Sequence, residues 1–322
     1  MLADSNQKTK AQHYVPQSYL RRFLNDTSKL WVYDKADKRS YPSGTLGIAQ
    51  EKYFYDIDAE ALHTEDARLG NELQLAEKAL SQIEGDFNTT VNQLLAEGET
   101  IGIRPELKSK LAFFIVIQIL RTREARNRNV ALFEAMLNAI GGEGAKMMFP
   151  DLTDDERRVS LAPSHHSLLH LQSLFDQTLW QQLSATLESH TWIFGVNKTK
   201  TPFYTSDHPV VQHAHISDPV VSYSGIGSEG IEIAFPLSSE YILSISERTY
   251  HHSSVHYDLK PVALSEDNIV YFNSLQALYS NRFIYCAADD FDVARRTCEA
   301  SPEASNPNRV RVIVNPGRDP SP

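Results

Sequence analysis

Apolar positions follow a helical period through the middle of the chain and a shorter, strand-like alternation after residue 190. From Leu111 to Leu120 every residue is apolar except Gln118. Successive helical residues turn by about 100°, so Leu111, Phe114 and Ile115 share one face and Phe113, Val116 and Leu120 another. A helix apolar on two faces belongs inside a core. The run is too short to cross a bilayer, which takes about 20 apolar residues. Gln118, Arg121 and Thr122 then enter the sector that Leu111 and Phe114 began. A buried guanidinium needs a partner, because an unpaired buried charge costs several kcal/mol.

Upstream, Leu73, Leu80, Phe87 and Leu94 recur every seven residues and predict a helix over 63–97, with Gly85 as a candidate break. Glu77 and Glu84 sit at the margin of that stripe, about 40° away. The stripe is predicted to face the helix carrying Leu111, Phe114 and Gln118. That second helix is predicted to run on through Leu132, Met136 and Ile140 until Gly141-Gly142 stops it. Residues 151–190 read as helical, with Thr153 and Glu156 spaced as a capping box. Strand-like runs come at 30–33, 46–48, 52–55, 192–196, 203–206, 210–211, 231–235, 241–245 and 282–287, with 310–314 as a last candidate. Residues 265–281 read as helix, with Asn273 as an N-cap. Helices in the middle and strands after them predict an α+β fold, the helical region packed on a mostly antiparallel C-terminal sheet.

The chain has 322 residues and a formal net charge of −10. That charge argues against general duplex binding, which calls for a basic surface. Any contact with a phosphate-bearing molecule or single-stranded nucleic acid must use a local basic patch. The two cysteines, Cys286 and Cys298, have no metal-ligand spacing, which suits a reducing, cytoplasmic setting. The N-terminus lacks an apolar signal segment, so no membrane association is expected.

Candidate chemistry gathers in three places. Gln118, Arg121 and Arg126 on one helix, with Glu77 and Glu84 on the other, form either a structural ion-pair network or a site. In a site, the arginine forks hold phosphate and a glutamate is base or metal ligand. Asp207, in Thr205-Ser206-Asp207-His208-Pro209, reads as an Asx turn or as a carboxylate projected from a strand end. His13 precedes a helix carrying Tyr14 and Gln17, and is either structural or an acid–base group. The carboxylates would suit a divalent metal such as magnesium. His166/His170, His213/His215 and His251/His252/His256 are the histidine groupings. None carries the HExxH pattern, and a histidine-rich metal site is the less favoured reading. There is no P-loop, GxGxxG or GxSxG, and the glycine-rich 224–230 stretch reads as a hairpin loop.

Six segments in order resemble the bacterial domain-of-unknown-function family numbered 4238: HYVPQSYLRRF at 13–23, EKYFYDID at 51–58, EKALSQIE at 77–84, IQILRTREARNR at 117–128, TSDHPVV at 205–211 and FPLSSEYILSIS at 235–246. The departure is His208, where the resemblance implies Asn. The resemblance implies one family domain over 13–287, leaving 288–322 as a C-terminal extension. It implies no reaction, and its context touches phage-defence gene neighbourhoods.

The residues themselves lead to two functional expectations. One is a phosphodiester- or nucleotide-directed hydrolase, such as a defence nuclease. In it His13, Glu77, Glu84 and Asp207 do the chemistry, and Tyr14, Gln17, Gln118, Arg121 and Arg126 bind the ligand. The other is a non-enzymatic ligand sensor or protein-interaction module.

Overall fold

The computed structural model describes residues 11–56 and 74–312. In chain order it holds β1 (Ala11–His13), α1 (Gln17–Leu20), β2 (Leu30–Asp34), β3 (Arg39–Ser43), β4 (Gln50–Lys52), α2 (Gln74–Ile101), α3 (Pro105–Leu120), α4 (Arg123–Met148), α5 (Pro163–Leu174) and α6 (Gln177–Ser189). There follow β5 (Thr191–Asn197), β6 (Thr205–Ser206), β7 (Val211–Ala214), β8 (Ile231–Pro236), β9 (Tyr241–Ser246), β10 (Pro261–Leu264), α7 (Glu266–Tyr279), β11 (Phe283–Cys286) and α8 (Asp292–Ala300). The fold is α+β.

Five strands pair in the order β10-β5-β9-β8-β7, antiparallel except for the parallel β10–β5 edge. A second sheet, β3-β2-β11-β6, joins the two ends of the chain, because β2 pairs with β11. Tyr19 adds another link. Its hydroxyl donates to the Pro236 carbonyl at 2.6 Å, and its ring stacks on Phe235 at 5.3 Å. One apolar core cluster accordingly runs from Tyr14 to Tyr285.

The seven-residue stripe meets α3 as its period requires. Leu80, Phe87 and Leu94 are buried, and the Phe87 and Phe114 rings stack with centroids 3.3 Å apart. Leu73 lies outside the described residues. Helix α2 passes through Gly85 unbroken, since that glycine faces open space and only its intrinsic propensity argues for a stop. The helix ends at Gly102, whose φ of +75° supplies the left-handed cap that a side chain resists.

Several boundaries differ from the sequence reading. The long central helix is two helices, because Thr122 leaves helical geometry and caps α4 through the Ala125 amide. Helix α4 then continues through Gly141-Gly142 to Met148. Residues 151–157 form turns and 158–162 are irregular, although Thr153 and Glu156 do make the reciprocal capping bonds. Residues 45–47 form a 3-10 turn, and Tyr53–Tyr55 a turn after β4. Ser265 caps α7, whereas Asn273 is buried in mid-helix, accepting from the Tyr204 amide and donating to the Pro202 carbonyl. Residues 310–312 are irregular, and the rest of that candidate strand lies outside the described residues.

Candidate functional site

The α3–α4 junction is where distant segments of the chain meet. Arg121 is the C-cap residue of α3 and is 2% exposed. Its guanidinium donates to Glu84 Oε1 at 2.8 Å, to the His13 carbonyl at 2.7 Å and to the Tyr55 hydroxyl at 3.4 Å. Burial works against the charge, but Tyr55 and Glu84 outweigh it and raise the guanidinium above its usual range. Glu84 is therefore the carboxylate that meets Arg121. The Glu77 side chain lies outside the described residues.

His13 enters this network through its backbone. Its ring is half-buried, with Nε2 enclosed and lacking a hydrogen-bond partner. Burial lowers its basicity, Glu84 opposes that shift and Arg121 adds to it. Gln118 donates to the Tyr14 carbonyl at 3.2 Å, which leaves Gln118 Oε1 buried without a partner. Tyr14 stacks obliquely on Phe54. Gln17, half-buried at the start of α1, takes no part in these bonds.

Arg126 points to the other side of the junction. Its guanidinium lies 3.6 Å from the Phe54 ring centroid, bonds the Phe54 carbonyl, and donates to His170 Nδ1 through Nε at 3.3 Å. The His170 Nε2–H bonds the Leu120 carbonyl at 2.8 Å, so both ring nitrogens are in use. Burial and then Arg126 push the His170 imidazole down to about 3. Burial brings Arg126 to about 10, still charged near neutrality.

Asp207, in the C-terminal half, is 1% exposed and turned away from Arg121 toward the start of β11. Its carboxylate accepts the amides of Asn281, Arg282 and Phe283, each at 2.8 Å. These bonds hold the entrance to β11. Burial pushes its carboxyl upward, against the amide donors and nearby Lys35. His208 Nδ1 lies 2.8 Å from Thr122 Oγ1, the cap of α4. Where the resemblance implies Asn, the histidine thus ties the 205–209 turn to the helix junction. Burial pushes His208 down to about 4.

Two features escaped the sequence reading. Lys35 is fully buried, caps α7 through the Ala277 and Ser280 carbonyls, and is brought down to about 8 by burial. Glu124, in the first turn of α4, is clasped by Arg311 and Arg309 at 2.9 and 3.0 Å. Nothing in local spacing connects residues nearly two hundred positions apart. Three surface cavities, of about 430, 340 and 610 Å³, open elsewhere: beside Trp180, beside Phe87 and Phe113, and between α4 and residues 154–159. None of these three is lined by Arg121, Arg126, His13 or Asp207.

No helix among the described residues is long and apolar enough to cross a membrane. The model of a family described as "Protein of unknown function (DUF4238)" matches residues 11–290. No curated protein and no solved structure matches the chain.

Proposed function

The chain belongs to the DUF4238 family, and we propose that it acts as a non-enzymatic protein-interaction module that docks a second copy of itself through α4. The observation that carries this reading is the outer face of α4. Leu132, Phe133, Met136, Ile140 and Met147 fall within one helical sector, and all are exposed, Ile140 by 81% and Met147 by 84%. Met148, the last residue of α4, and Phe149 just past it extend the apolar surface. A contiguous apolar patch of this kind marks an interaction surface, and methionine adapts readily to a partner's shape. Burying each such side chain is worth about 1.5–3 kcal/mol. A second copy suits the stripe because it is centred on Ile140. In an antiparallel pair related by a two-fold axis there, the Leu132 end of one helix meets the Met148 end of the other, and Gly144 leaves room for Met136.

The polar groups support the same reading. A phosphodiester hydrolase needs arginines open to phosphate and a carboxylate open to the reacting atom. Here Arg121, Arg126 and Asp207 spend their bonds on the protein itself. Sedimentation of the wild-type chain and of Ile140→Asp tests the proposal. A dimer that the substitution converts to monomer is the expected result; a wild-type monomer at about 100 μM overturns it. Hydrolysis of a simple phosphodiester with magnesium, lost in Glu84→Gln, would overturn the non-enzymatic part.

A further inference from the structure

Helices α3 and α6 together line the cavity of about 430 Å³ beside Trp180. Two contacts tie the helices there. Ser109 Oγ donates to Glu188 Oε2 at 2.7 Å, and the Phe113 and Trp180 rings meet edge to face with centroids 5.6 Å apart. The earlier residue of α3 meets the later residue of α6, so the two helices run antiparallel. Ser184 and Ala185 lie between Trp180 and Glu188 on α6 and line the same cavity. A space of this size takes a small molecule.

One end of the cavity is carbon. The indole N–H of Trp180 already donates to the Leu174 carbonyl at 2.7 Å, so the polar atom of that ring is spent. Phe175 packs edge-on against the indole, with centroids 6.2 Å apart, and fixes its position. Phe113 and Trp180 are nevertheless only half-buried, because the cavity uncovers them. Fixed aromatic rings of this kind hold an apolar body, and their faces attract a cation.

The other end is polar. Glu188 enters none of the ion pairs formed among the described residues, and its bond is to the neutral Ser109 hydroxyl. Lys108, beside Ser109, spends its ammonium on the His190 carbonyl at 3.0 Å and faces Asp258 at 3.9 Å. One turn before Glu188, Ser184 Oγ is enclosed and has no hydrogen-bond partner. A serine inside a helix ordinarily bonds the carbonyl one turn back, and an enclosed hydroxyl left unpaired costs free energy. Trp180, Ser184 and Glu188 follow one another at single turns, about 6 Å apart along the axis.

We propose that this cavity binds a small organic ammonium ion, with its apolar body against Phe113 and Trp180 and its charged nitrogen at Ser184 and Glu188. The ammonium donates to the serine hydroxyl and to the carboxylate, and neither has to release a cation to accept it. One helical turn separates the rings from the first acceptor, so an aromatic ring bearing an ammonium on an arm of about two or three carbons matches the span. An anion would be repelled by Glu188, and a neutral molecule would leave that carboxylate unpaired. The formal net charge of −10 favours the same class of ligand. The site uses no residue of the exposed α4 stripe and is independent of the pairing proposed there.

Titration of the isotope-labelled full chain with phenethylammonium, followed by amide chemical shifts, tests the site. Saturable shifts across 109–113 and 177–188 are expected, with a Kd of about 1 mM or tighter. Phenethyl alcohol, the neutral counterpart, should bind at least about tenfold more weakly. Glu188→Gln should remove that preference. Ala185→Phe, which fills the cavity from an exposed position, should abolish both titrations. Sedimentation of the same samples reports the α4 pairing separately, so either proposal can fail alone. The proposal is overturned by an absence of shifts in these segments at about 10 mM ammonium, a concentration about ten times that Kd. Equal affinity for the alcohol, a preference that survives Glu188→Gln, or binding that survives Ala185→Phe overturns it as well.

Discussion

Arg121 shows what a single buried charge demands. The sequence placed a guanidinium on an apolar face, and physics then required a partner. Glu84 is that partner, with the His13 carbonyl and Tyr55 filling the remaining donors. Arg121→Gln leaves Glu84 without its guanidinium and removes a buried anchor. It should cost about 3–5 kcal/mol in urea unfolding, as breaking a buried pair does. A loss under about 1 kcal/mol would mean that the network contributes little. The carbonyl contribution of His13 was not readable from its side-chain type, and neither was the amide-binding role of Asp207. Both depend on backbone groups that only the folded topology brings near. A second test at this scale uses pH. His170 and His208, at about 3 and about 4 in the folded chain, lie below the usual imidazole value of about 6.5. A lowered folded value means that the unfolded chain binds protons first. The stability is therefore whole above about pH 6.5 and is lost as pH falls toward 4, by about 1.4 kcal/mol per unit for each histidine. His208→Asn should remove one histidine's share of the slope of unfolding free energy between pH 7.5 and 5.5, while His170 and the other histidines that burial lowers, His13, His190 and His213, keep theirs. An unchanged slope would take the histidine out of the pH response.

At the scale of elements, periodicity was a good guide to faces and a poor guide to ends. The stripe of α2 and the apolar sector of α3 met as their spacing required, because a heptad stripe has to be covered by another apolar face. Phe114→Ala should cost about 3–5 kcal/mol. A melting temperature equal to the parent's would contradict the Phe87–Phe114 stack. The break at Thr122 was hidden because both flanking runs favour helix, and what ends α3 is tertiary. The Thr122 hydroxyl must cap α4 and meet His208 in one place. Thr122→Ala removes both contacts, so it should cost more than the roughly 1 kcal/mol of an ordinary lost cap. Gly141-Gly142 misled in the other direction. On an exposed helix, two glycines lower stability by about 1 kcal/mol each without forcing a stop.

For the whole molecule, the informative contact joins the first turn of α4 to the chain beyond the family match. That match ends at residue 290, yet Arg309 and Arg311 both reach Glu124. Burial works against the Glu124 carboxylate, and Arg311 and Arg309 outweigh it, holding its carboxyl below the usual range. Arg311 also donates to Asn281, whose amide is one of the three on Asp207. One polar chain thus runs from the 309–311 segment through Asn281 to the 205–209 turn and the α3–α4 junction. The resemblance stopped at 287, and two arginines among polar residues beyond it carry no periodic signal that would have announced these contacts. Arg311→Gln removes the bidentate partner and leaves Glu124 only Arg309. The expected loss is about 2–4 kcal/mol in chemical denaturation, toward the lower end of the cost of breaking a buried pair. Glu124→Gln in the same chain should then recover most of that loss, since a neutral amide no longer needs a cation. If instead the two substitutions simply add, the pair is not coupled, and the 309–311 segment rests on the domain without bracing it.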